Sequence, residues 1–251
     1  MEQDRQSEDR VTNGPHSDVL RVALAETCRV VRGTIPLLPL HLERLAAGGC
    51  TPQLLERVRH RMSDTAATAT GSEYARLRVV VETDGSIETT LDERPSALDV
   101  AGGPSFVTVP IIGAPPLPPG AAKPADRTPW EKPVQEARQE GADLGVLVDS
   151  DGNVVDATTA TVWLAYADRV FTPPAPPAVA GVARRLILDR GREAGARPEV
   201  AHIRESDLWD ADEVFFSSAL GGVRCASGRR GPVGTALEEW FARVFEEGLD
   251  V

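Results

Sequence analysis

Lysine is almost missing from this chain. Its 251 residues hold two, Lys123 and Lys132, against twenty-five arginines. Arginine supplies surface charge as well as lysine does but does not give up its proton, so amine nucleophile chemistry needs a lysine. Lys123 sits in Gly120-Ala-Ala-Lys-Pro124, a small-residue, proline-bounded stretch that resembles a cavity entrance more than an amphipathic helix face. An ordinary surface lysine is the alternative reading at this point.

Cysteine is nearly as scarce. Cys28, Cys50 and Cys225 are odd in number and far apart, which excludes a disulfide framework or a CxxC metal site and fits a reducing cytoplasm. No apolar run approaches the roughly 18 residues that a membrane-spanning helix needs, and no membrane partner is expected. Residues 1–17 are polar, with Glu2, Asp4, Glu8 and Asp9 among them, and lack the basic start and apolar stretch of a signal peptide. They read as a disordered tail. Positive charge is short overall: the net charge is −11, which argues against nucleic acid as a partner. Asp210, Asp212 and Glu213 read as a solvated turn and helix start, and no metal site is expected.

The remaining pattern predicts an α+β fold of two domains, each a mostly antiparallel sheet with flanking helices. In the first half, residues 18–32 read as a strand on Val19, Val22, Leu24, Val30 and Val31. Residues 37–47 and 51–65 read as helices, the second carrying Leu54, Leu55, Val58 and Met62 as a helical stripe. Strands are predicted at 74–82, 86–91 and 105–111, between Asp84-Gly85 and Gly102-Gly103 turns. The proline-rich stretch 110–120 is the natural boundary, giving domains at 18–110 and 123–251 joined by a linker at 111–122.

The second half alternates strands and short helices. Thr128-Pro-Trp-Glu131 has the spacing of a capping box, although Pro133 falls early in that helix. Asp151-Gly152 signals a hairpin between residues 144–149 and 153–156. Strands follow at 161–167 and 170–172, a helix at 181–194, strands at 214–218 and 223–226, and a closing helix at 235–247.

Six stretches stand in a telling order: Lys123-x-x-x-Arg127, Leu147-Val-Asp149 through Asp156, Thr172-Pro173, Gly181-Val-Ala-Arg184, Ala211-Asp-Glu-Val-Phe215, and Ser217-Ser-Ala-Leu220. Upstream lie Glu26-Thr-Cys-Arg-Val30 and Leu38-Pro-Leu-His-Leu-Glu-Arg-Leu45. Over residues 18–245 this order resembles the class IV aminotransferases, the fold-type IV enzymes that use pyridoxal 5′-phosphate. The resemblance implies a cofactor site between the two domains and Lys123 as the Schiff-base lysine and acid/base. It also implies Asp156 as the partner of the pyridine nitrogen, where the family has Glu. The phosphate would be held by Arg44, by Gly181, Val182 and Ala183 at a helix start, and by Ser217 and Ser218. Arg127 and Arg184 match basic positions nearby. Lys132 takes no role, and His41 reads as a packed histidine.

The compact length, the short spacing from Lys123 to Arg127 and the His-Leu-x-Arg-Leu form resemble aminodeoxychorismate lyase most. That resemblance implies elimination of pyruvate from 4-amino-4-deoxychorismate. A transaminase for branched-chain or D-amino acids is the alternative, with Arg76 and Arg78 as candidates for the substrate carboxylate. A divergent or non-catalytic member of the fold is the third reading. It is kept open because residues 18–25 lack the family's glycines and aromatic, and Thr161 replaces a usual Asn. The substrate is expected to be a small amino-acid-like molecule, and the assembly a homodimer.

Overall fold

The structure is a computed structural model that describes residues 19–70, 74–93, 102–113 and 117–249. The predicted tail and residues 114–116 of the proline stretch lie outside the described residues.

The first body is an antiparallel sheet backed by two helices. Strands β1 (Leu24–Val30), β2 (Ala75–Val81) and β3 (Ile87–Asp92) pair in that order. β1 is shorter than the predicted strand at 18–32. Leu24 pairs with Val81, the last residue of β2, so no partner strand reaches further upstream and Val22 stays two-fifths exposed. Helices α1 (Leu38–Ala47) and α2 (Pro52–Ala67) fall close to their predicted ranges. The Thr51 hydroxyl accepts from Leu54 N–H at 3.2 Å and caps α2. The stripe Leu54, Val58, Met62 and Ala66 then packs on Cys28, Leu77, Val79 and Val81 of the sheet.

The second body is built on two sheets. Strands β4 (Phe106–Pro110), β5 (Leu144–Val148) and β6 (Val154–Ala157) form one; β5 and β6 make the predicted hairpin. The other has the order β11-β10-β7-β8-β9, with β7 (Thr161–Tyr166), β8 (Arg169–Thr172), β9 (Arg197–Val200), β10 (Glu213–Ser218) and β11 (Gly222–Cys225). Here the two central strands β7 and β10 are buried on both faces, as strands covered on both sides require. Trp163 and Phe215 stack and point to a core shared with the helices α4 (Val182–Arg190) and α6 (Pro232–Glu247). Val162, Leu164, Val214 and Phe216 point to a second core against β5.

Several expectations are corrected. β4 precedes the proline stretch, yet it pairs in parallel with β5, through a crossover containing helix α3 (Thr128–Gln139). Strand pairing therefore puts β4 with the second body. The capping box does not form: α3 starts at Thr128, whose N–H is taken by the Asp126 carboxylate at 2.9 Å. The helix expected over 181–194 turns into a tighter 3-10 segment after Arg190. Helix α5 (Asp207–Asp210) and β9 carried no sequence signal. Glu213 is buried, not solvated; its carboxylate accepts from Val233 and Gly234 N–H at 3.0 and 2.7 Å and caps α6. No helix among the described residues is long and apolar enough to cross a membrane.

Candidate active site

Lys123 is held against the free edge of β1. Ala25 N–H donates to the Lys123 carbonyl and Ala125 N–H to the Ala23 carbonyl, each at 2.9 Å. The turn that delivers this segment contains Gly120 with φ 63°. A Cβ there would come within 2.6 Å of Ala47 Cβ at the end of α1, so the close approach requires glycine. The side chain then reaches Thr27, whose hydroxyl accepts from Lys123 Nζ at 3.1 Å. Burial, followed by the charges of Arg44 and Arg127, lowers the amine pKa to about 8 against an opposing pull from Glu26. On that scale roughly one amine in ten is neutral at pH 7, whereas an unperturbed lysine is almost wholly protonated. Lys132, by contrast, is exposed and forms an i,i+4 pair with Glu136.

Asp156 comes from β6, whose register against β5 shifts after Leu147. Its carboxyl is buried and Oδ1 has no hydrogen-bond partner. Burial pushes its pKa up to about 7, although backbone N–H groups and the charges of Arg184 and Arg127 pull it down. Arg127 stacks its guanidinium 4.1 Å over the Trp130 ring and donates to the Thr158 carbonyl at 3.1 Å. Arg184 is buried and donates to the Pro173 carbonyl at 2.9 Å.

The third wall offers hydrogen-bond donors. Gly181 caps α4 with no side-chain cap, so the N–H groups of Val182 and Ala183 have no partner within the helix. A Cβ on Gly181 would lie 2.9 Å from Thr161 Oγ1, so a larger residue would push the strand and helix apart or displace that side chain. Ser217 Oγ accepts from Trp163 Nε1 at 2.9 Å and keeps its own proton to donate. Ser218 Oγ accepts from Gly221 N–H and is tied into the β10–β11 turn. Arg44 enters from α1, with Nε 2.8 Å and Nη2 2.5 Å from the two oxygens of Glu26, and Nη1 3.1 Å from the Ala180 carbonyl.

One cavity of about 780 Å³ joins these walls. Arg44, Lys123, Asp156, Gly181, Val182, Ala183, Ser217 and Ser218 all line it, with Thr27, Arg76, Arg127 and Arg138. Arg78 is absent from the lining; it reaches toward the Ala125 carbonyl at 3.5 Å. Two neighbours lie in the Glu26-Thr-Cys-Arg-Val30 stretch, which the sequence marked without giving either a role. Thr27 touches the amine. Glu26, with His41 Nδ1 at 2.6 Å, stands behind Arg44. The usable signal was Glu26 itself, an acid in a strand that otherwise buries apolar side chains. Cys28 lies close by, but burial and the Glu26 charge hold its thiol well above the ordinary range, so it is a core residue. Among the described residues, no group of three or more His, Cys, Asp or Glu side chains could hold a metal ion.

The family model for amino-transferase class IV matches residues 23–227, most of the chain. The chain belongs to the class IV aminotransferase family. Among curated relatives of this class IV chain is the aminodeoxychorismate lyase of Vibrio harveyi, 32% identical over 105 residues, which are 41% of this chain and 39% of that protein. Another is the branched-chain-amino-acid aminotransferase of Pseudomonas aeruginosa, 27% identical over 117 residues, 43% of this chain and 38% of that protein. The match thus spans about two fifths of each relative's length. Among solved structures, a hypothetical aminotransferase from Mycobacterium tuberculosis in its PLP-bound form superposes with a TM-score of 0.74. It is 20% identical, and the overlap covers 90% of the class IV chain and 89% of that chain.

Proposed function

We propose that this chain is a pyridoxal 5′-phosphate enzyme acting on small amino-bearing carboxylates, with Lys123 holding the cofactor and moving the substrate proton. The observation that carries this reading is the half-buried, partly neutral Lys123 amine in one cavity with a buried, unpartnered Asp156 carboxyl oxygen and an open helix start. The residues fit the group. Arg44, the N–H groups at the start of α4 and the Ser217 hydroxyl would hold its phosphate. Asp156 Oδ1 would take its ring nitrogen, a cation that would offset the cost of burying the carboxylate. Once bound, the cofactor supplies an electron sink for the carbanion left when the α-proton departs.

The chain's own part is proton handling and orientation. Neutral Lys123 Nζ accepts the proton from the amine-bearing carbon, and the Thr27 hydroxyl at 3.1 Å directs that nitrogen. Arg127, clamped over Trp130, keeps a cation beside both Lys123 and Asp156. The leading reaction is elimination of pyruvate from 4-amino-4-deoxychorismate to leave 4-aminobenzoate. The C–H bond at the amine-bearing carbon breaks toward Lys123, the C–O bond to the enolpyruvyl group breaks, and that group takes up a proton and leaves as pyruvate. Two groups able to carry protons side by side, Lys123 and Thr27, support this assignment. The lyase relative supports it as well, at 32% identity. Transamination of branched-chain or D-amino acids is the second reading, favoured by the branched-chain relative. The same reading includes a homodimer in the cytoplasm.

The deciding preparation is the purified protein incubated with pyridoxal 5′-phosphate and reduced with borohydride. The cofactor mass is expected on the peptide that contains Lys123; a mass found only on Lys132, or nowhere, sinks the reading and leaves a non-catalytic member of the fold. Release of pyruvate without any keto-acid acceptor then marks the lyase, and a strict need for an acceptor marks the transaminase.

A further inference from the structure

Behind Arg44 stands a carboxylate that is not among the residues lining the cavity. Glu26 is 1% exposed, on the buried face of β1. It meets Arg44 side-on through both oxygens and His41 Nδ1 through Oε2. Burial would raise its pKa, but the charges and hydrogen bonds of Arg44 and His41 outweigh burial and bring it to about 2. Burial lowers the pKa of His41 despite Glu26, and its Nδ1 donates to the carboxylate. Glu26 is therefore the buried counter-charge of Arg44 at every ordinary pH.

Donor arithmetic gives this pair a purpose. A guanidinium has five N–H groups in a rigid fork. Glu26 takes Nε–H and one Nη2–H, and the Ala180 carbonyl takes one Nη1–H. One N–H on each terminal nitrogen is left, and Arg44 lines the cavity. The bond to Ala180 also acts on the backbone. Ala180 directly precedes the Gly181 cap of α4, and its own N–H donates to the Ala121 carbonyl at 2.8 Å, two residues from Lys123.

We infer that Glu26 is a positioning residue for phosphate recognition: it locks Arg44 with one N–H of each terminal nitrogen aimed at the anion and, through Ala180, sets the opening of α4. His41 holds the second side of the same carboxylate. This rests on the pyridoxal 5′-phosphate reading and adds to it a residue that touches neither cofactor nor substrate.

The test compares binding of pyridoxal 5′-phosphate with binding of pyridoxal, which lacks the phosphate, to the full chain freed of cofactor. In Glu26→Gln, affinity for the phosphorylated compound is expected to fall by about 10- to 100-fold, the scale of a charge-assisted pair. Affinity for pyridoxal is expected to stay within about threefold of the parent, inside the range of a single neutral hydrogen bond. Equal losses for both compounds would mean that Glu26 only supports the fold, and no loss for either would mean that Arg44 orients itself; each overturns the inference. Should Glu26→Gln fail to fold, Glu26→Gln/Arg44→Met removes both buried charges and is compared with Arg44→Met alone. Matching affinities for pyridoxal 5′-phosphate support the inference, and a further loss in the double variant overturns it. If the parent itself binds neither compound, it is the cofactor reading that fails.

Discussion

The two ends of the cavity are built to different standards. At the anion end, Arg184 is buried, Arg44 is half-buried, both have named partners, Gly181 makes a close steric contact, and Glu26 stands behind Arg44. At the mouth, Arg76 is exposed and paired with Asp92 at 3.0 Å, and Arg138 is exposed on α3. The difference teaches where the chain has spent its order. On the proposed reading, a group common to many reactions would be gripped by interlocked side chains, whereas the region left for a particular substrate is exposed. Surface ion pairs such as Arg76–Asp92 are worth about 0–1 kcal/mol.

Mutations along that gradient should lose effect from the centre outward. Lys123→Ala should cost the most, about 10⁴-fold or more in turnover, since it removes the proposed proton carrier. Loss of the borohydride-fixed mass checks it. Asp156→Asn should weaken cofactor binding and turnover by about 10- to 100-fold, as expected for a hydrogen bond to a charged group.

The same Asp156 variant has a stability signature of opposite sign. The folded pKa of Asp156 is about 7 against 3.8 unfolded, so the cofactor-free parent loses stability as pH rises from about 4 to 7. Cofactor-free Asp156→Asn should therefore melt higher than the parent at pH 8 and nearly equal to it at pH 4. Each kcal/mol relieved is worth about 2–4 °C in Tm. Thr27→Val comes next, at about tenfold in turnover with cofactor binding unchanged, which single-turnover rates would separate from affinity. Arg138→Ala should be mildest, within about threefold and confined to KM. A large kcat effect at Arg138, or a negligible one at Asp156, would break the contrast between the two ends.

The legible parts of the molecule were those with local signals. The helical stripe of α2, the Asp151-Gly152 hairpin and the glycine opening of α4 each announce themselves within a few residues. Lys123 was legible because arginine had displaced lysine almost everywhere else. The chain order of the motifs did the rest: the eight predicted residues line one cavity although they come from five separate stretches of sequence. What stayed hidden was non-local. β4 looks like its neighbours β2 and β3, and only a parallel partner more than thirty residues downstream assigns it to the second body. β9 is a mostly exposed edge strand containing Pro198, with no apolar alternation to betray it. Glu26 broke the buried pattern of β1, but its meaning needed His41 and Arg44 brought beside it.

The pairing of β4 has a practical consequence for anyone cutting the gene. A fragment beginning at the proline stretch would carry β5 without the strand beside it, leaving its backbone N–H and C=O groups on that side unpaired. Such an edge, in a strand buried along its whole length, is a template for intermolecular association. A second-half fragment that starts ahead of Phe106 should stay dispersed under conditions where one starting at Ile111 forms aggregates.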